Sequence, residues 1–265
     1  MASRGRRKAE TGPAVTVHVC TGASCVAAGA PGLLHKLPPL LGREIPVQPA
    51  GCIGRCDQAP AAMVGQFPVA CATAQRVIDC VQDGSVTHEP EGYIGLSQYR
   101  AAGGYAMLEQ CLKGEREARF VIAALAAAGL PAARQWRGAR KQGVRLLAVD
   151  ASDFRHRSRL ERDPHRLLEG LLIAAWACGS ASACAVLHPA WHGCRALLLQ
   201  ELARLQAEPP SPALPRLELR SAGDASALAQ DFETLFGLRV LLEHGPEWFA
   251  ATGGHGREDF QSYAN

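Results

Sequence analysis

VCTGASCVAAGAPGLLHKLPPLLGREIPVQPAGCIGRCDQAPAA, residues 19–62, holds four of the ten cysteines of the chain in two tight pairs. Cys20 and Cys25 are separated by four residues and Cys52 and Cys56 by three. Both loops carry glycine and other small residues, which let backbone amides approach sulfur. Four thiolates on two such loops meet the needs of a 2Fe-2S cluster. A structural zinc site would also use four cysteines, but its usual pair is Cys-x2-Cys, which neither pair matches. A disulfide framework needs an exported chain, and a thioredoxin-type dithiol needs Cys-x-x-Cys. Spacing by itself leaves iron–sulfur, zinc and ordinary thiols open.

The pattern around the pairs predicts a compact clip. Val15, Val17 and Val19 alternate as a strand does, so the first pair sits just past a strand end. A helix is expected over 30–37, stopped by Pro38 and Pro39, and Ile45 with Val47 make a second short strand leading to the other pair. A further helix is signalled by Ala70, Ala74, Val77, Ile78 and Val81 and ends near Asp83 and Gly84.

The 265 residues suffice for two modest cores, and 48% hydrophobic residues describe a globular chain. A net charge of +3 is too small to indicate nucleic acid or an anionic membrane surface. No apolar run reaches the length of a membrane span, and the basic start MASRGRRKAE is not followed by a hydrophobic segment, so the expected compartment is the cytoplasm. Cys71, Cys80, Cys111, Cys178, Cys184 and Cys194 lack ligand-like pairing and are expected to be core residues.

CTGASC, the following GAP and AGCIGRCDQAPAAMV resemble the thioredoxin-like 2Fe-2S domain of NADH dehydrogenases and of related NAD-dependent formate dehydrogenases and hydrogenases. The resemblance implies that Cys20, Cys25, Cys52 and Cys56 are the cluster ligands and that Gly54 and Pro60 are turn residues. Further on, AAGGYAML is similar to the start of the flavin-binding subunit of that family. ERDPHRLLEGLLIAAWACGS (161–180) and FETLFGLRVLLEHGPEWFAATG (232–253) resemble its scaffold segments. The implied fold is α/β, with an N-terminal thioredoxin-like 2Fe-2S ferredoxin domain and a truncated α/β domain of the flavin-binding NADH dehydrogenase subunit type. The expected divisions are a basic tail at 1–12, the 2Fe-2S domain at 13–88, a helical linker at 89–119 and the degenerate FMN/NADH-binding-type domain at 120–265. Within the last, helices are expected up to 128 and over 164–178, 190–206 and 226–242, and strands at 144–149, 184–188 and 217–220.

The resemblance breaks where the family binds its cofactors. Its glycine-rich phosphate loop corresponds here to IAALAAAGLPAARQW (122–136), whose alanines favour a continuous helix over a phosphate cradle. DASDFRHR (150–157) replaces a longer acidic turn, and the terminal cysteine motif for a 4Fe-4S cluster is missing. The expected cofactor set is one 2Fe-2S cluster, without FMN or 4Fe-4S.

A flavin is what splits a hydride into single electrons, so the expected role is a non-catalytic electron-transfer subunit. By the resemblance its partner is a larger catalytic subunit, a molybdenum- or tungsten-dependent formate dehydrogenase before a hydrogenase or NADH dehydrogenase core. Two alternatives stand beside it: an active FMN- and NAD-linked subunit using Arg134, Arg137 and Arg140 for phosphate, and a zinc-bound assembly factor. His18 reads as a strand residue, His188, His192 and Cys194 as a loose cluster lacking a fourth ligand, and Asp163 with Pro164 as a helix start.

Overall fold

The structure, a computed structural model, describes residues 15–252. The expected basic tail lies outside the described residues. The chain divides into two compact units, one ending at His88 and the other starting at Glu89.

Among the described residues, the first unit is a four-stranded sheet with three helices. In chain order it runs β1 (Val17–Cys20), α1 (Ala23–Ala27), α2 (Ala30–Leu41) and β2 (Val47–Ala50). A 3₁₀ turn at Cys56–Gln58, β3 (Ala62–Val64), β4 (Phe67–Val69) and α3 (Ala74–Gln82) follow. The strand order is β2-β1-β3-β4, with β1 and β2 parallel and the other pairs antiparallel. Val17 and Val19 are fully buried, as their alternation predicts, and α2 adds Ala30, Leu33 and Leu37 from one face. Fully burying a side chain of this size contributes about 1.5–3 kcal/mol.

Pro38 and Pro39 do not stop α2, which continues to Leu41. Proline's fixed φ suits a helix, and the lost donors fall in the closing turns, where Gly42 N–H bonds the Pro38 carbonyl at 3.1 Å. The β3–β4 hairpin is an addition to the elements expected from the sequence. Its signal is the two-residue loop Gly65-Gln66, with Gly65 at φ +58° where a side chain would be strained. Ala70 lies outside α3, whose N-cap Thr73 accepts from Arg76 N–H at 3.2 Å.

The second unit packs nine helices, among the described residues, around a parallel sheet. It begins α4 (Leu96–Ala101), α5 (Ala106–Leu112), α6 (Ala118–Ala127), α7 (Ala132–Gln142) and β5 (Leu146–Asp150). It continues α8 (Phe154–Arg162), α9 (Pro164–Cys178), β6 (Ser182–Val186), α10 (His192–Ala207) and β7 (Arg216–Arg220). It closes with β8 (Leu228–Gln230), α11 (Phe232–His244) and α12 (Pro246–Ala251). The strand order is β7-β6-β5-β8, every pair parallel. Helices α4 and α5 lie in the stretch read as a linker, and they bury Tyr99, Leu108 and Cys111 in the core of this unit.

Helix α9 is the axis of the packing. All its residues except Arg166 and Trp176 are buried. Asp163 caps it by accepting from Arg166 N–H, and Pro164 occupies the first turn, in the arrangement read from the sequence. At Gly170 an added Cβ would stand 2.1 Å from the Leu235 carbonyl oxygen, so α9 and α11 touch backbone to backbone.

Three segments depart from the sequence reading. Residues 226–242 are a strand and then a helix: 228–230 pair with β5, and Asp231 restarts the chain as an N-cap accepting from Thr234 N–H at 2.8 Å. The alanine-rich 122–136 is two helices, because Gly129 at φ +71° and Pro131 break it. Charge masks helices α7 and α8 in the sequence: each buries only a thin stripe, Ala132, Ala133, Trp136 and Ala139 in the first and Arg157, Leu160 and Glu161 in the second.

Candidate metal centre

The parallel pairing of β1 with β2 places Cys20 opposite Ala50, so the two cysteine loops leave the sheet from the same end. Cys20 closes β1, Cys25 lies in α1, Cys52 follows β2 and Cys56 opens the 3₁₀ turn. Cys20 and Cys25 are buried, Cys52 is half-buried and Cys56 is exposed. The Cys52 and Cys56 sulfurs are 3.7 Å apart. The loops abut at Gly22, where a Cβ would lie 3.3 Å from Cys52 Cβ and 3.5 Å from Cys20 Sγ.

Three of the four sulfurs accept main-chain hydrogen bonds. Gly22 N–H donates to Cys20 Sγ at 3.4 Å, Ala61 N–H to Cys25 Sγ at 3.4 Å and Gly54 N–H to Cys52 Sγ at 3.5 Å. Gly54 adopts φ +76°, and the Ala59–Pro60 peptide is cis. Burial, then the neighbouring thiols, push Cys25 up to about 11, and burial and Cys52 raise Cys56. The Cys25 and Cys56 thiols are therefore neutral near pH 7 until a cation displaces their protons. No group of three or more His, Cys, Asp or Glu among the described residues is arranged around a single-ion site.

The remaining cysteines divide. Cys111, Cys178, Cys184 and Cys194 are buried in the second unit, as expected. Cys71 and Cys80 are not core: Cys71 is exposed in a turn at φ +45°, and Cys80 lies half-buried on α3, which buries only Val77. His18 is a strand residue, paired in register with Gln48 and Met63. His188 Nδ1 accepts from Ala190 N–H at 3.2 Å and Cys194 is fully buried, so the loose His188, His192 and Cys194 cluster does not assemble.

In the second unit β5 and β8 flank the point where strand order reverses, the place at which open parallel sheets receive ligands. Backbone N–H groups of 128–130 and 133–135, which would have to turn toward a phosphate, all bond main-chain carbonyls of the same stretch. Trp136 is fully buried and donates to Gln230 Oε1 at 2.6 Å, at the end of β8. The strand ends carry Asp150, Asp153 and Asp231, which accept from Ser152, Arg155 and Thr234 amides respectively.

The scaffold motifs meet in a buried network that sequence reading did not foresee. Tyr105 and His165 Nδ1 are 2.9 Å apart, and His165 Nε2 and Glu201 Oε2 are 2.8 Å apart. An ionised carboxylate only accepts, so Nε2 carries the proton and the Tyr105 hydroxyl donates to Nδ1. Burial lowers His165, keeping it neutral. Burial alone would raise Glu201, but His165, Leu96 N–H and Arg204 outweigh it and hold its carboxyl low. Tyr99 donates to Glu169 at 2.6 Å, and burial raises Glu169. The glycine pair beside these tyrosines is both a break and a close contact: Gly103 has φ +83°, and a Cβ on Gly104 would stand 2.1 Å from the Tyr99 ring.

Comparison with known proteins agrees with this architecture. No family model matches the chain. It is 32% identical over 109 residues, 36% of its length, to an NADH-quinone oxidoreductase subunit of Rhizobium meliloti (strain 1021), covering 25% of that protein. It is 30% identical over 100 residues, 33% of its length, to the like-named NADH-quinone oxidoreductase subunit of Aquifex aeolicus (strain VF5), covering 24%. The chain thus matches about a quarter of the length of these relatives. Among solved structures, NAD+-reducing [NiFe]-hydrogenase in the H2-reduced state aligns at TM-score 0.62 and 17% identity, over 90% of this chain and 54% of that one. The air-oxidised form aligns at 0.61 and 18%, over 93% and 56%. That likeness establishes the fold. No helix among the described residues is long and apolar enough to cross a membrane.

Proposed function

We propose that this chain is an electron-transfer subunit of an oxidoreductase complex, holding one 2Fe-2S cluster on Cys20, Cys25, Cys52 and Cys56. The observation that carries the reading is that the two cysteine pairs meet at one end of the sheet, with the Cys52 and Cys56 sulfurs 3.7 Å apart and three of the four sulfurs accepting backbone N–H bonds. A binuclear cluster needs two thiolates at each iron, whereas zinc needs all four around one point. When bound, the cluster accepts and releases single electrons. The residues of the chain hold it, and the Gly22, Gly54 and Ala61 amides stabilise the added charge of its reduced form.

The similarity to NADH-quinone oxidoreductase subunits and the hydrogenase fold support membership of a multi-subunit redox assembly. We assign the second unit a docking role without FMN or NADH. The spent amides at 128–130 and 133–135 offer no phosphate cradle, and the aspartates Asp150, Asp153 and Asp231 near the strand ends repel one. The partner proposed is the catalytic subunit of a molybdenum- or tungsten-dependent formate dehydrogenase, whose low-potential electrons suit all-cysteine ligation at about −400 mV. Absorption spectra of anaerobically purified protein, before and after dithionite, test the whole reading. Visible bands that bleach, about two irons and two sulfides per chain and no flavin released on denaturation are expected. Stoichiometric flavin would refute the loss of FMN, and colourless zinc-loaded protein would refute the cluster.

A further inference from the structure

A groove of about 700 Å³ runs between the α5–α6 turn, α6, α7 and the C-terminal end of α9. It lies at the end of the sheet where β5 and β6 begin, because α7 leads into β5 and α9 into β6. It is therefore separate from the crevice at the opposite, carboxyl ends of the strands. Five exposed cations line it, Arg116 and Arg119 on one side and Arg137, Arg140 and Lys141 on the other, against a single carboxylate, Glu117. The last three recur at helical spacing along one face of α7. Between the two cationic rails lie half-buried Leu112 and Trp176, with buried Ile122 beneath.

Several of these cations are held ready. Arg116 stacks over the Phe120 ring at 4.6 Å and donates to Gln110 at 3.1 Å. Arg140 donates to the carbonyls of Trp176 and Ala177 at the end of α9. Glu117 is engaged by Arg119. Arg137 and Lys141 make no hydrogen bond or ion pair among the described residues, and each exposes its full charge to the groove. A chain whose net charge is only +3 has concentrated cations around one furrow.

We infer that this groove docks an acidic amphipathic segment of a partner protein, with carboxylates on the two rails and an apolar side chain against Trp176 and Leu112. Charge complementarity selects an anionic occupant, and the apolar floor between the rails selects one with an apolar face. A compact phosphate ligand is less well served, since long exposed side chains, and not inward-pointing amides, supply the charge. The inference does not depend on the cluster assignment.

The test uses the full-length protein and three fluorescently labelled peptides: one alternating paired Glu with paired Leu over twelve residues, a glutamate-only peptide, and the Lys–Leu counterpart. Anisotropy is read near 0.1 M salt, where charges act over about 10 Å, and again near 1 M, where they act over about 3 Å. The Glu–Leu peptide should bind, weaken with salt, and lose about tenfold in affinity with Arg137→Glu and again with Lys141→Glu. Arg137→Lys should retain binding, and Trp176→Ala should weaken the Glu–Leu peptide alone. Because Arg137 and Lys141 are exposed, their reversal leaves the core unchanged, and circular dichroism checks this. The proposal is overturned if the glutamate-only peptide binds as tightly, if the Lys–Leu peptide binds, if charge reversal has no effect, or if ATP displaces the peptide more effectively than unlabelled peptide does.

Discussion

Gly170→Ala and Gly138→Ala place the same methyl group in the middle of two helices and are expected to act in opposite directions. At Gly138 in α7 nothing lies within 4 Å of the new Cβ, so the substitution keeps the helix-propensity gain of about 0.5–1 kcal/mol. At Gly170 in α9 the Cβ would meet the Leu235 carbonyl oxygen at 2.1 Å, its carbon at 2.8 Å and its Cα at 3.2 Å. Moving the first contact from 2.1 to an ordinary 3.4 Å requires α9 and α11 to part by about 1.3 Å. The obstacle is backbone, so no side-chain rotation relieves it. Overpacking of this kind costs up to about 3 kcal/mol, and the propensity gain returns about 1, leaving a net loss of about 2. For a unit spanning residues 89–265 this lowers the melting temperature by about 4–8 °C, while Gly138→Ala raises it by about 1–4 °C. Differential scanning calorimetry of the full chain reads both. A Gly170→Ala protein melting at or above the parent would refute the close approach of α9 to α11.

Three further outcomes follow from the sites described. Cys52→Ser should abolish or severely alter the visible spectrum of the iron-loaded protein while the transition of the second unit stays put; an unchanged spectrum would reject Cys52 as a ligand. Tyr105→Phe keeps the ring contacts but leaves buried His165 Nδ1 without its donor, costing about 1–3 kcal/mol in urea denaturation. Burial pushes Cys194 from 9.0 up to about 12, so the folded unit favours the neutral thiol. Its contribution is whole below pH 9 and is lost as pH climbs toward 12; the urea midpoint should fall across that window, and less steeply in Cys194→Val.

The network behind the Tyr105 prediction also explains what the motif residues do. Tyr105, His165 and Glu169, each in a segment of family resemblance, converge with Tyr99 and Glu201 at full burial. Buried polar groups are costly to leave unpaired, so the Tyr99–Glu169, Tyr105–His165 and His165–Glu201 bonds tie α4 and α5 to α9 and α10 in one arrangement. The motifs therefore persist as scaffold, whatever becomes of the cofactors.

The sequence by itself determined the elements whose physics is local. The valine alternation specifies β1, Asp163 with Pro164 marks the start of α9, and four of the cysteines stand in two close pairs with glycines beside them. Period, caps and turn residues act within a few positions, so they can be read along the chain. What tertiary structure alone decided are the features in which residues far apart share one place. Parallel pairing of β1 with β2 brings Cys20 and Cys25 beside Cys52 and Cys56 across the 26 residues of chain between the pairs. Residues 228–230 became a strand only because β5 offered an unpaired edge, against an alanine- and leucine-bearing pattern that reads as helix. The polar helices α7 and α8 hold through a narrow buried stripe against their neighbours, and the basic groove arises from cations on segments that meet only after packing. Each of these rests on contacts whose partners are remote in sequence, and pairing free energy of that kind leaves no mark on either segment alone.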